Sequence, residues 1–300
     1  MDVVVFGAGS LGSLIGGLLA REHAVTLVGR DPHVRRVRED GLRVEGAVEA
    51  TIRPDARLEA PERADLAVVC VKAFDTPDAA AALAGVDLQW CLSLQNGMGN
   101  EDVLADHLEP GATVLAGTCT YGAVLEGPGV VRCTGVGEIV LGAREGGTST
   151  AADRVGEAFD GAGLVTEVAA DMPRRLWEKL AVNAGINPTT ALARVDNGAV
   201  REGEARAVAT AAAREVALVA REEGVDLSPA DAAEAVQRVA DATARNTSSM
   251  LQDVRAERRT EIDAIGGFVL ERARARDVDV PVTETLTGLV RGWERGRGLR

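Results

Sequence analysis

Only two of the 33 basic residues are lysines, Lys72 and Lys179. Lys179 stands in Trp177-Glu178-Lys179-Leu180-Ala181-Val182-Asn183-Ala184-Gly185-Ile186-Asn187-Pro188, with Lys179, Asn183 and Asn187 spaced i, i+4, i+8. On a helix that spacing sets all three on one side. An ammonium and two amides among apolar neighbours need polar partners, because each buried unsatisfied group costs ~1–3 kcal/mol. A bound hydroxy- or oxo-acid supplies such partners; so does the backbone of another segment, or water. Further on come Asn246-Thr247-Ser248-Ser249-Met250-Leu251-Gln252-Asp253 and Thr260-Glu261-Ile262-Asp263. By themselves Ser248 and Ser249 are cap-like, and Glu261 is a carboxylate in a first helical turn.

A second group of residues could hold phosphate. Gly7-Ala8-Gly9-Ser10-Leu11-Gly12 follows an apolar run at once and opens a helical pattern. There Gly7 permits the tight turn, Gly9 lets backbone approach a pyrophosphate, and Gly12 lets helix and strand pack closely. The helix start adds free N–H groups and a partial positive charge. The next apolar run ends at Val28-Gly29-Arg30. A carboxylate there suits the ribose 2′-hydroxyl of NAD, whereas an arginine suits the 2′-phosphate of NADP. Asp31 is one residue on, but Asp31-Pro32 also makes a helix start. Lys72 and Asn96-Gly97 each follow an apolar run, on the rim where parallel sheets bind ligands. Lys72 could meet cofactor and Asn96 the nicotinamide ribose or substrate; equally, one could be solvated and the other a turn.

The elements that must carry these groups change character along the chain. In the first half, strands are expected at 2–6, 24–28, 66–71 and 90–94, alternating with helices at 11–21, 32–40, 77–83 and 101–107. That alternation is the pattern of a parallel sheet built from βα units. From 113 to 141, strands with glycine turns suggest antiparallel additions to the sheet, followed by a helix at 151–160 and a last strand at 164–168. Beyond Asp171-Met172-Pro173, helical periodicity covers 174–192, 202–224, 229–244, 260–276 and 282–295. The expected organisation is an α/β Rossmann-type dinucleotide-binding domain over 1–170 and an all-helical substrate and catalytic domain over 171–300.

Composition narrows the partners. A formal net charge of −13 argues against nucleic acid and anionic membrane. No apolar run reaches the ~18–20 residues of a membrane span. Met1-Asp2-Val3-Val4-Val5 enters a strand with no basic leader, so a secretory signal is not expected. Cys70, Cys91, Cys119 and Cys133 show neither CxxC pairing nor metal-ligand spacing, as expected of buried thiols in a reducing, cytoplasmic setting without bound metal. High acidity with so little lysine suggests a salt-adapted or GC-rich source. Nothing fixes the oligomeric state between monomer and homodimer.

The chain resembles the ketopantoate reductase (2-dehydropantoate 2-reductase) family, within the 6-phosphogluconate-dehydrogenase-like group. The resemblance spans nearly the whole length and is densest in the glycine loop, Lys72, Gln95-Asn96-Gly97-Met98-Gly99, Lys179-Leu180-Ala181-Val182-Asn183, Ile186-Asn187-Pro188, Asn197-Gly198, the Ser248 segment and the Glu261 segment. It implies reduction of 2-dehydropantoate to pantoate by NADPH, a step toward pantothenate and coenzyme A. It implies that Lys179 is the proton donor, that Asn183, Asn187, Asn197 and Ser249 bind substrate, and that Asn96 touches cofactor and substrate. Glu261 would position the lysine or the cofactor. Gly7, Ala8, Gly9, Ser10, Leu11, Gly12, Arg30, Lys72 and Ala123 would form the nucleotide site. Ala123 rests on the least specific segment, since Tyr121 and Gly122 depart from the family's pattern there. Two rival readings stand beside this one: a paralogous reductase of another branched 2-oxo acid, and an NADPH-binding regulatory protein without turnover.

Overall fold

Asp2–Phe6 carries valines on both faces, as suits a strand covered on both sides, and it forms β1. The computed structural model describes residues 1–300. After β1 come α1 (Ser10–Leu19), β2 (Ala24–Val28), α2 (His33–Asp40), β3 (Leu42–Gly46), β4 (Ala50–Ile52) and β5 (Asp55–Arg57). Next are β6 (Arg63–Val69), α3 (Thr76–Leu83), β7 (Asp87–Ser93), α4 (Asn100–His107) and β8 (Thr113–Cys119). A hairpin of β9 (Gly122–Gly127) and β10 (Val130–Gly135) leads to β11 (Ile139–Ala143), α5 (Thr150–Gly161) and β12 (Thr166–Val168).

Eight strands form one sheet in the order β12-β11-β8-β7-β6-β1-β2-β5. From β5 across to β8 every neighbouring pair is parallel. This is the doubly wound order, with its switch point between β1 and β6, where such sheets bind nucleotides. The expectation of antiparallel additions over 113–141 holds for β11, antiparallel to β8, but not for β8 itself, which runs parallel to β7. The reason is the connection: α4 crosses over between β7 and β8 and returns the chain in the same direction.

The β9–β10 hairpin leaves this sheet and joins a second one, β4-β3-β10-β9. That small sheet covers α1, whose residues from Gly12 to Leu19 are all buried. Gly17 makes the covering possible, since a Cβ there would stand 2.9 Å from Leu42 Cδ2. Held between two sheets, α1 gives the glycine loop a rigid base. His33 pins the hairpin to it: Gly129 N donates to Nδ1 at 3.1 Å, leaving Nε2 to donate to Ser13 Oγ at 3.0 Å.

Burial holds the His33 pKa below its ordinary 6.5. The unfolded chain therefore binds the proton more readily, so this contribution is complete above pH 6.5 and declines as pH falls toward the folded value. We expect the melting temperature of His33→Asn to fall less steeply with acid below pH 6.5 than that of the parent. Equal slopes would show that His33 does not contribute to acid lability.

The helical unit contains α6 (Met172–Ala193), α7 (Gly203–Glu222), α8 (Pro229–Ala242), α9 (Ser249–Arg255), α10 (Phe268–Arg276) and α11 (Pro281–Gly296). By its contacts the chain divides into Met1–Gln95 with Asn100–Met172, and Asn96–Gly99 with Pro173–Arg300. Helix α7 is central to the second unit; its Ala209, Ala212, Ala213, Ala217 and Ala220 are buried and admit neighbours closely. The buried Glu215 of α7 accepts from Val282 N, Thr283 N and Thr283 Oγ1 at 2.7–2.9 Å, satisfying first-turn donors of α11.

Candidate functional site

The glycine loop is shaped by collisions that side chains would cause. Gly7 has φ +106°, and a Cβ there would lie 2.7 Å from Val71 N, at the carboxyl end of β6. A Cβ on Gly12 would overlap the Gly7 carbonyl, so only glycine brings the first turn of α1 onto the loop. At Gly9 nothing lies within 4 Å of a Cβ position, and no side chain caps α1. The first-turn amides of α1 therefore face a space that suits a pyrophosphate. A dinucleotide fits these residues.

Around this loop the structure places the other candidates of the first unit. Arg30, its side chain 88% exposed, pairs with Asp75 at 3.3 Å. Asp31 Oδ1 accepts from Arg35 N at 3.3 Å and so caps α2. Lys72 precedes the short turn Ala73–Asp75, half-buried at the end of β6. Ala123 sits in β9 opposite Cys133, two residues before Leu125, whose N–H donates to Ser10 Oγ at 3.0 Å. The cysteines are free thiols. Burial raises Cys91 to about 12, with Glu101 adding to it, and pushes Cys70 further up with help from Cys119. Those two remain protonated and serve as packing.

In the helical unit, Lys179, Asn183 and Asn187 lie on one continuous helix, α6; the first two are half-buried and Asn187 is buried. Pro188 falls inside this helix and removes the bond its N–H would give to the Ala184 carbonyl. Thr190 Oγ1, three residues beyond Asn187, meets Ser248 Oγ at 2.7 Å and fixes α6 to the start of α9. Ser248 also accepts from Leu251 N at 3.2 Å, so Ser248 is the cap and Ser249 presents its hydroxyl to the outside. Asn197 joins the same neighbourhood: its N–H donates to Asn246 O at 3.0 Å and its Nδ2 to Thr243 Oγ1 at 2.9 Å. Asn197 Oδ1 is buried with no hydrogen-bond partner. A buried acceptor left unmade is costly in a resting fold and useful if a ligand hydroxyl completes it.

Asn96 meets Glu261. Its Nδ2 donates to Glu261 Oε2 at 3.4 Å, and Met98 N donates to Ala264 O at 3.1 Å. Gly97, at φ +84°, permits this approach, since a Cβ would stand 2.5 Å from Ala264 Cβ. Glu261 is buried and precedes a π-helical turn, Asp263–Gly267, that runs into α10. Such turns recur at functional sites because they shift side chains off the α-helical register.

Comparison with known proteins decides the family. The description Ketopantoate reductase PanE/ApbA matches residues 3–146, and Ketopantoate reductase PanE/ApbA C terminal matches 171–294. The chain belongs to the ketopantoate reductase family. It is 48% identical to a 2-dehydropantoate 2-reductase of Halobacterium salinarum, over 97% of this chain and 98% of that one. Among solved structures, a PanE/ApbA family ketopantoate reductase from Ralstonia eutropha superposes with TM-score 0.89 at 33% identity, covering 99% and 100% of the two chains. A ternary structure of D-mandelate dehydrogenase with NADH and anilino(oxo)acetate superposes with TM-score 0.93 at 25% identity, covering both chains fully. As a ketopantoate reductase the chain is an oxidoreductase with a dinucleotide-binding fold, and no helix is long and apolar enough to cross a membrane.

One polar network of this ketopantoate reductase was not singled out from sequence. Buried Gln95 donates from Nε2 to Val71 O at 3.1 Å and Thr76 Oγ1 at 2.7 Å, and Thr76 Oγ1 donates to Asn100 Oδ1 at 2.8 Å. It ties the ends of β6 and β7 together, so the segments bearing Lys72 and Asn96 leave the sheet from fixed points. Nothing in the spacing of Thr76, Gln95 and Asn100 announces it, since they meet only once the parallel strands are paired.

Proposed function

We propose that this chain is a 2-dehydropantoate 2-reductase that uses NADPH to make pantoate, a step toward pantothenate and coenzyme A. The observation that carries the reading is the α6 face, where one of only two lysines shares a side with Asn183 and Asn187 in a member of this family. The bound dinucleotide supplies the hydride; the glycine loop Gly7–Gly12 with Arg30, Lys72, Asn96, Ala123 and Glu261 would hold it. Lys179 stabilises the negative charge that develops on the ketone oxygen and then protonates it. Asn183, Asn187 and the Ser249 hydroxyl donate to the oxygens of the 2-oxo acid and fix its orientation. Asn197 Oδ1 accepts from the substrate hydroxyl. Glu261 fixes the amide of Asn96 and the placement of the lysine or cofactor. Residues 1–170 serve the nucleotide and 171–300 the substrate.

Arg30 is the residue on which NADPH preference turns. Its ion pair with Asp75 is exposed and worth little, so a 2′-phosphate can take Asp75's place. Asp31 lies one residue on and is engaged through Oδ1 at the start of α2. We expect Arg30→Ala to raise KM for NADPH about 10–100-fold, the worth of ~1.5–3 kcal/mol for a charged hydrogen bond, and to leave NADH kinetics nearly unchanged. An equal effect on both cofactors would refute this role.

The defining experiment follows NADPH oxidation with 2-dehydropantoate, with NADH in parallel. The similarity to D-mandelate dehydrogenase favours one second reading, a reductase of another 2-oxo acid. No turnover with 2-dehydropantoate, but turnover with an aryl 2-oxo acid, would establish it. Intact NADPH binding without turnover of any 2-oxo acid would leave the regulatory reading.

A further inference from the structure

Thr260 and Asp263, on either side of Glu261 in the chain, are both held by α11, and Asp263 also by Arg300. Glu294 of α11 is fully buried, and its Oε1 accepts from Thr260 N and Thr260 Oγ1, each at 2.7 Å. Glu294 Oε2 accepts from Arg300 Nε at 3.1 Å. On the other side, Asp263 Oδ1 accepts from Arg291 Nε at 2.9 Å and Nη2 at 2.8 Å, and Arg300 Nη2 donates to Asp263 Oδ2. Arg300 thus bridges the two carboxylates, and Glu261 lies between their points of attachment. Burial works to raise the Asp263 pKa, but the hydrogen bonds from Arg300 and Arg291 outweigh it and hold the group below its ordinary value. Helix α11 reaches this segment through glycines: a Cβ on Gly266 would overlap Thr287 Oγ1, and one on Gly267 would lie 2.6 Å from Arg291 Nη2. Packing alone needs no such arrangement, since apolar residues of similar volume often fill a core as well as a buried ion pair does.

We infer that Glu294, together with Arg300, is a positioning group for Glu261. By fixing Thr260 on one side and Asp263 on the other, it sets where the Glu261 carboxylate lies relative to Asn96. Its effect on catalysis passes through Glu261 and rests on the role proposed for that residue above.

A double-mutant cycle between Thr260→Val and Glu261→Gln tests this, with kcat, KM for 2-dehydropantoate and melting temperature measured for each variant. Valine keeps the volume of Thr260 and removes the hydroxyl that meets Glu294 and that also accepts from Ile262 N at 3.3 Å. We expect Thr260→Val to lower kcat ~10-fold in the parent and less than ~2-fold beside Glu261→Gln, with Thr260→Ser restoring kcat. The KM should move little in each case. Equal losses in both backgrounds, or none in the parent, overturn the inference. Parent-like turnover by Glu261→Gln alone shows that the role of Glu261 itself is wrong, and the inference falls with it. If Thr260→Val does not fold, Arg300→Gln, at a side chain 26% exposed, enters the same cycle with the same deciding outcomes.

Discussion

We expect Lys179→Ala to lower kcat by ~10³-fold or more, because the role proposed for this one residue combines stabilising the oxyanion with protonating it. Dinucleotide affinity should stay within about twofold, since the phosphates are assigned to the glycine loop and Arg30 rather than to α6. The half-buried lysine can be shortened without opening a core, so the melting temperature should hold as well. Turnover under saturating NADPH, with fluorescence titration of the cofactor, separates the two quantities. Near-parent turnover would remove Lys179 from the mechanism, and loss of cofactor binding would recast it as a nucleotide contact.

Gly7→Ala carries the second large effect, at the opposite end of the mechanism. Its φ of +106° is a region that side chains rarely adopt, and the new methyl would press on Val71 N at 2.7 Å. Strain and overlap together cost about 2–4 kcal/mol. On a unit of this size that is a fall of about 4–16 °C in melting temperature. Relief comes only by moving the loop away from β6, which also withdraws the amides of α1 from a pyrophosphate. We expect NADPH affinity to fall at least ~100-fold, close to 3 kcal/mol. Gly9→Ala is the matched control: its methyl enters open space, so the protein should melt normally while still binding the cofactor less well. If both variants bind NADPH like the parent, the glycine loop does not hold the phosphates.

Both predictions concern residues that local sequence marks by type and spacing; the role of Lys179 as proton donor is what the family resemblance implies. The bounds expected for β1 and β2 are those observed, because runs rich in valine that end before a glycine leave little choice. The α6 face was legible from spacing alone. Strands β3, β4 and β5 were not anticipated: two have three residues each, and all carry charged or polar groups, suited in β3 and β4 to the small covering sheet and in β5 to the edge of the main one. The parallel direction of β8 was hidden because direction is set by the crossover through α4, not by the residues of the strand. Asn96 follows β7 at the rim of the sheet, and sequence does not show that its amide meets Glu261, or that Met98 two residues on meets Ala264. Glu294 resembles any late-helix carboxylate until Thr260 is brought to it across 34 positions.

The π-helical turn between Glu261 and α10 also bears on how this part of the chain can change over time. An α-helix advances ~100° per residue, so one residue more or fewer rotates everything beyond it by that amount. Asp263–Gly267 holds a residue in excess of α-helical register. Deleting any one of the five could restore a regular helix at no cost in backbone hydrogen bonds, yet it would turn Glu261 away relative to Phe268 and the rest of α10. Its length is therefore constrained separately from its residues, of which Gly266 and Gly267 are already fixed by the approach of α11. Among active relatives the distance from Glu261 to α10 should therefore be invariant even where identity is low, and a relative that lacks one residue there should have lost the reductase reaction while keeping the fold.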